Sequence, residues 1–178
     1  IDEVLFGNCL MAGQGQAPAR QAGFKGGLPA STGAVTLSKM CGSGMEATML
    51  AHDQLLAGSR DVMVSGGMES MSNVPYLLPQ ARSGYRLGNG QLIDGLVHDG
   101  LWDPYGDMAM GNCGEICARE YGFSREEQDA YSLASYERAR AATESGSFAR
   151  EIVPVEVPQR KGDPQVVSRD EEPFKVDL

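Results

Sequence analysis

The chain has 178 residues, 42% hydrophobic and 22% charged, an ordinary globular composition with room for one core or two small ones. Its formal net charge of −9 argues against nucleic acid or an anionic membrane surface as partner. No apolar run reaches the length of a membrane span, and 4 cysteines with 2 histidines suggest neither a disulfide framework nor a zinc site.

Residues 4–6 form a short apolar run stopped by Gly7-Asn8, the pattern of a buried strand. That strand is already under way at Ile1, with no initiator methionine before it, so any targeting segment is expected upstream. Residues 11–20 mix Gly, Gln and Pro and read as a loop leading into a helix over residues 17–23. Gly26-Gly27-Leu28-Pro29 breaks it. Residues 34–40 are β-branched enough for a second strand. Met45, Thr48, Met49, His52, Leu55 and Leu56 then recur at helical spacing, and Gly58 stands where a glycine would end the helix. Val62-Met63-Val64, within residues 61–65, reads as a fully buried third strand ended by Gly66-Gly67. Strand, helix and strand in this order predict a βαβ unit in a mostly parallel sheet, an α/β fold.

Cys41 falls on the turn between the second strand and its following helix. At a helix N-terminus, unpaired backbone N–H groups and the positive end of the macrodipole favour a thiolate, the form that attacks carbonyls. Gly42 and Gly44 leave room for a tight turn and a close substrate, and N–H groups in such a turn suit the oxyanion of an attacked thioester. On local chemistry alone, however, a cysteine among glycines is more often a small buried hydrophobe. Met68 and Met71 suit a pocket lining, and more commonly core filling. Glu69 reads first as a structural carboxylate taking backbone N–H groups, and second as a general base.

The acidity is uneven: residues 1–72 hold 4 basic and 6 acidic side chains, and residues 73–178 hold 11 and 18. A domain boundary is placed at 72/73, beside Asn73-Val74-Pro75. Residues 73–107 are rich in Gly, Pro, Tyr and Asp without a long period, as in lids and inserted segments. His98-Asp99 offers a candidate catalytic pair, for which a solvated surface histidine is the plainer reading. Residues 111–121 read as a helix closed by Gly122, with Cys113 and Cys117 on one face. Ser124-Arg125-Glu126-Glu127 is a capping box for a helix that runs to Ser145 and stops at Gly146. Tyr131 and Tyr136 on it read as packed rings with wet hydroxyls. Residues 152–157 form a short edge strand marked by prolines, and residues 160–177 a charged, loose connection.

Three ordered blocks carry a family resemblance. Leu37-Ser38-Lys39-Met40-Cys41-Gly42-Ser43-Gly44-Met45 resembles the nucleophile motif of the thiolases. Asp61-Val62-Met63-Val64-Ser65-Gly66-Gly67-Met68-Glu69-Ser70-Met71-Ser72 resembles their second signature, and Gly13-Gln14-Gly15-Gln16-Ala17-Pro18-Ala19-Arg20-Gln21-Ala22 a third block. Within that family the chain is similar to the acetyl-CoA acetyltransferases, the biosynthetic branch. The resemblance implies a thiolase-like α/β fold: an incomplete N-terminal core half over residues 1–72, then a mainly helical loop domain and its connection back over residues 73–178. It further implies that Cys41 accepts the acyl group, that Leu101 and Met110 lie along the pantetheine arm of coenzyme A, and that Tyr136 contributes to a coenzyme and potassium site. Coenzyme A thioesters, acetyl-CoA and acetoacetyl-CoA, would be substrates, with no tightly bound cofactor. A homodimer or homotetramer would form, cytoplasmic, or mitochondrial in a eukaryotic source.

The sequence also departs from the family pattern. Ala109-Met110-Gly111 stands where His-Met-Gly is common, which leaves the acyl-chain preference open, and His98 stands where Lys is common. The Asn-Glu-Ala-Phe, Gly-His-Pro and Cys-x-Gly-Gly-Gly motifs of the family's C-terminal half do not occur here. The chain is therefore expected to correspond to a middle portion of a thiolase and to be inactive alone. Two alternatives stand beside this reading: a degradative 3-ketoacyl-CoA thiolase, and a non-catalytic, thiolase-derived binding or assembly module.

Overall fold

The structure, a computed structural model, describes residues 1–177. Its centre is β1 (Glu3–Gly7), flanked on both sides by parallel strands, β2 (Gly33–Leu37) and β3 (Met63–Gly67), in the order β2-β1-β3. Leu5 pairs with Val35 on one side and Ser65 on the other. The central position explains why Val4 and Leu5 are the most deeply buried large apolar side chains, each contributing about 1.5–3 kcal/mol. Successive strand side chains alternate faces. Val4 meets helix α1 (Pro18–Lys25) near Gly23, while Leu5 clusters with Ala47 and Ala51 of helix α2 (Ser43–Leu56). The two helices therefore cover opposite faces of the sheet, as the predicted α/β class requires.

Two expectations about this region are corrected. The β3 strand is half-buried rather than fully buried, and Val62 beside it is 54% exposed, because β3 is an edge strand. The predicted apolar stripe of α2 is also not the buried one. Met45, Met49, Leu55 and Leu56 are exposed, and the face on the sheet is Ser43, Ala47 and Ala51. Small side chains at i, i+4 and i+8 let the helix axis approach the strands closely. Gly58 ends the helix in the left-handed conformation, φ 68°, as predicted.

The described chain divides into two compact units, Ile1–Cys113 and Gly114–Leu178, and the charge step at 72/73 falls inside the first. There the segment after β3 folds back on the loop after β1: a Cβ on Gly100 would lie 3.1 Å from the Leu10 side chain. Two short antiparallel ladders follow, β4 (Tyr76–Leu77) with β5 (Ile93–Asp94), and β6 (Trp102–Asp103) with β7 (Met108–Ala109). Between them Val97–Leu101 forms a π-helical turn. Helix α3 (Met110–Tyr121) comes next and ends before Gly122, φ 70°.

In the second unit the predicted capping box opens α4 (Arg125–Glu144): Ser124 N–H donates to Glu127 and Glu127 N–H to Ser124 Oγ. The expected loose connection holds more order than its composition suggested. Within it, strand β9 (Gln165–Val167) pairs with β8 (Val155–Val157), which falls in the strand expected at residues 152–157, and a 3-10 turn over Glu172–Phe174 is tied to α4. Arg140 donates to the Pro173 and Val176 carbonyls, and Arg169 stacks 3.4 Å from the Phe174 ring centre. No helix among the described residues is long and apolar enough to cross a membrane.

Candidate active site

Cys41 lies on the short connection from β2 to α2, with Gly42 as the helix N-cap. Its thiol is exposed and unpaired. The turn is fixed from within: Gly42 N–H donates to the Lys39 carbonyl at 3.1 Å, and Ser43 N–H to the Met40 carbonyl at 3.0 Å. The Ser43 hydroxyl, almost wholly buried, accepts from Lys39 N–H at 2.8 Å and donates to the Met40 carbonyl. Lys39 and Glu46 pair at 2.7 Å across the outside of the turn.

The turn does not draw on the backbone freedom of Gly42. Gly42 has φ −88°, open to any residue, whereas Met40 takes φ 50°. A side chain held in the left-handed region costs about 1–3 kcal/mol and persists only where surrounding bonds over-determine it. Close approach is required instead at Gly7, where a Cβ would sit 2.4 Å from the Ser43 carbonyl carbon and 2.5 Å from Gly44 N. The end of the central strand thus abuts the first turn of α2. Gly67 closes the other side, where a Cβ would lie 3.2 Å from the Gly7 carbonyl oxygen and 3.4 Å from the Gly44 α-carbon. Cys41 is thereby held beside the C-terminal ends of the parallel strands, where open α/β sheets bind ligands.

Glu69 behaves as the structural carboxylate, accepting from Cys9 N–H at 2.8 Å and Leu10 N–H at 3.0 Å. The Gln14 side chain bridges the same loop, accepting from Asn8 at 2.6 Å and donating to the Leu10 carbonyl at 3.0 Å. Met68 is not core filling: half-buried, it lines a cavity of about 290 Å³ with Leu10, Gln14, Glu69 and Asn73. Met71 is exposed. His98 bonds its neighbour Asp99 at 2.6 Å on the surface, the plainer of its two readings.

The β6–β7 ladder pairs Trp102 with Ala109, so Leu101 and Met110 emerge side by side at its open end, both exposed. Asp103 shapes the hairpin by accepting from Tyr105 and Gly106 N–H groups. Tyr136 belongs to the second unit, where its hydroxyl donates to Glu172 at 3.0 Å. That bond, and then the carboxylate's charge, raise the phenol above its ordinary range. Among the described residues no cluster of three or more His, Cys, Asp or Glu is placed to hold a metal ion. The contact sequence reading missed is that of Cys9 with the Met40 carbonyl, which no spacing in the chain announces.

Residues 1–176 match the family described as thiolase, N-terminal domain. This chain belongs to the thiolase family. Two similar proteins are acetyl-CoA acetyltransferase 1 of Arabidopsis thaliana, 54% identical over 94% of this chain and 40% of that protein, and acetyl-CoA acetyltransferase of Pseudomonas aeruginosa, 49% identical over 97% and 44%. The crystal structure of Acat5 thiolase from Ascaris suum in complex with coenzyme A superposes with a TM-score of 0.88 at 38% identity. It covers 99% of this chain and 44% of its own. The chain thus spans about two fifths of the length of these proteins.

Proposed function

We propose that these residues form the nucleophile-bearing part of an acetyl-CoA C-acetyltransferase. The Cys41 thiolate attacks the carbonyl carbon of acetyl-CoA, the bond to the coenzyme sulfur breaks, and free coenzyme A leaves with acetyl-Cys41 behind. The α-carbon of a second acetyl-CoA, having lost a proton, then attacks acetyl-Cys41. A carbon–carbon bond forms, the Cys41 sulfur is released, and acetoacetyl-CoA departs; thiolysis is the reverse. Two half-reactions through a covalent intermediate predict ping-pong kinetics. The observation that carries this reading is the placement of Cys41, an exposed thiol on a fixed turn at the start of a 14-residue helix.

Leu101 and Met110, side by side, would supply an apolar wall for the pantetheine arm. Tyr136 and Glu172 supply two oxygen donors of the kind potassium takes, so a potassium site there fits the chemistry. Potassium dependence would be read by comparing turnover in potassium and sodium buffers, with Tyr136→Phe removing the difference. The proton-transfer groups lie elsewhere: His52 and His98 each bond the adjacent aspartate at the surface. General acid–base help typically contributes about 10²–10⁴-fold, so residues 1–178 alone are expected to show no steady turnover.

The test is acetylation of Cys41 in a full-length chain carrying these residues, followed by peptide mapping after brief exposure to acetyl-CoA. An acetyl group on Cys41, lost in Cys41→Ser together with thiolysis of acetoacetyl-CoA, is the expected result. Acetyl transfer that survives Cys41→Ser overturns the reading. A higher kcat/KM for a medium-chain 3-ketoacyl-CoA than for acetoacetyl-CoA would move the assignment to the degradative branch. Light scattering of the same protein tests the proposed homodimer or homotetramer.

A further inference from the structure

The carbonyl of Met40, the residue before Cys41, collects three donors: Ser43 N–H, the Ser43 hydroxyl and the thiol of Cys9 at 2.8 Å. A peptide oxygen has two lone pairs, so three donors leave it no freedom to turn. Cys9 also lies 3.4 Å from Ser43 Oγ, which places the thiol against both ends of the connection between Met40 and the helix. Cys9 is itself anchored, since its own N–H and that of Leu10 occupy the two oxygens of Glu69. Because Met40 is the residue in the left-handed conformation, whatever fixes its carbonyl fixes the direction in which Cys41 leaves the turn.

We propose that Cys9 is a positioning residue for Cys41: its thiol, set by Glu69, clamps the Met40 carbonyl and holds the nucleophile turn. The brace runs from the second signature segment through the end of the central strand to the reacting cysteine. It rests on the reading of Cys41 as the nucleophile. The thiol acts as a hydrogen-bond donor and takes no part in acyl transfer. A hydroxyl at position 9 keeps the donor, whereas valine keeps the bulk and removes it. The two substitutions therefore separate donation from packing.

The experiment uses a full-length chain carrying these residues, with wild type, Cys9→Val, Cys9→Ala and Cys9→Ser compared well below their melting temperatures. Single-turnover acetylation of Cys41 by acetyl-CoA is expected to slow about three- to tenfold in Cys9→Val and Cys9→Ala, the scale of one lost hydrogen bond. The concentration of acetyl-CoA giving half-maximal rate should not change, and Cys9→Ser should return the rate to within about twofold of wild type. Wild-type rates in Cys9→Val, or a Cys9→Ser rate as low as that of Cys9→Val, overturn the proposal. Should Cys9→Ala fold poorly, the valine and serine pair still decides. No acetyl-Cys41 in the wild type would instead refute the nucleophile reading. The brace is then judged by the iodoacetamide rate at Cys41, with the same order of variants expected and the same two results overturning it.

Discussion

At the residue scale, the four thiols differ in surroundings more than in exposure. Cys41 and Cys117 are both exposed, but Cys41 precedes a helix N-terminus and Cys117 lies in the C-terminal half of α3. The helix end beside Cys41 presents free N–H groups to an incoming reagent, and the end beside Cys117 does not. Limiting iodoacetamide at neutral pH is therefore expected to label Cys41 first, and peptide maps led by Cys9, Cys113 or Cys117 would contradict that. Gly7 offers a test of the close approach that frames the turn. Gly7→Ala places a methyl within 2.6 Å of three atoms of Ser43 and Gly44, most of them backbone, so α2 must shift. A loss of about 1–3 kcal/mol is expected by denaturant titration, with slower alkylation of Cys41. Asp2 gives a pH signature. Its carboxylate accepts the backbone N–H groups of Val62 and Asp61, and these bonds hold it below its ordinary 3.8. A depressed carboxylate stabilises the fold above its unfolded value and loses that contribution as pH falls through its folded value. The difference in urea midpoint between wild type and Asp2→Asn should thus be constant near neutral pH and shrink below about pH 4.

At the scale of elements, the order strand–helix–strand–helix–strand was legible, because apolar runs, β-branched residues and glycine stops mark each piece. The orientation of α2 was not. Periodicity finds the most apolar stripe, and here the sheet takes the smallest one, Ser43, Ala47 and Ala51. Ala51→Leu should overpack that face and cost about 1–3 kcal/mol. Met45→Lys with Leu56→Lys, both on the exposed side, should leave stability within about 0.5 kcal/mol and reduce self-association of the 178-residue chain, checked by light scattering. Strand β8 falls within the strand read at residues 152–157, whereas β9 was missed because three residues carry too little pattern to outweigh a charged, proline-bearing context. At the site, the placement of Cys41 on the strand–helix turn and the structural role of Glu69 could be read from the sequence. The left-handed Met40 and its bond to Cys9 could not, since they join positions 31 residues apart.

At the scale of the whole molecule, stability should be unevenly distributed between the two units. Every buried residue among those described lies in Ile1–Cys113, where the sheet pairs β1 on both edges and helices cover both faces. In Gly114–Leu178 none of the described residues is buried. Its order rests on the capping box of α4, the hairpin, and the bonds of Tyr136 and Arg140 to the turn over Glu172–Phe174. A helix of about 20 residues is only partly formed in water without an apolar face to bury, and a two-stranded hairpin alone is marginal. Solvent-exposed backbone bonds with little apolar packing open locally rather than with the global transition. Native-state hydrogen exchange of the 178-residue chain should therefore show the amides of β1 exchanging slowest, with those of α4 and the β8–β9 hairpin faster by orders of magnitude. Ser124→Ala should speed exchange throughout α4, as expected for a lost cap worth about 1 kcal/mol, and leave β1 unchanged. Equal protection of β1 and α4 would mean that the second unit is stabilised by something its own exposed surface does not supply.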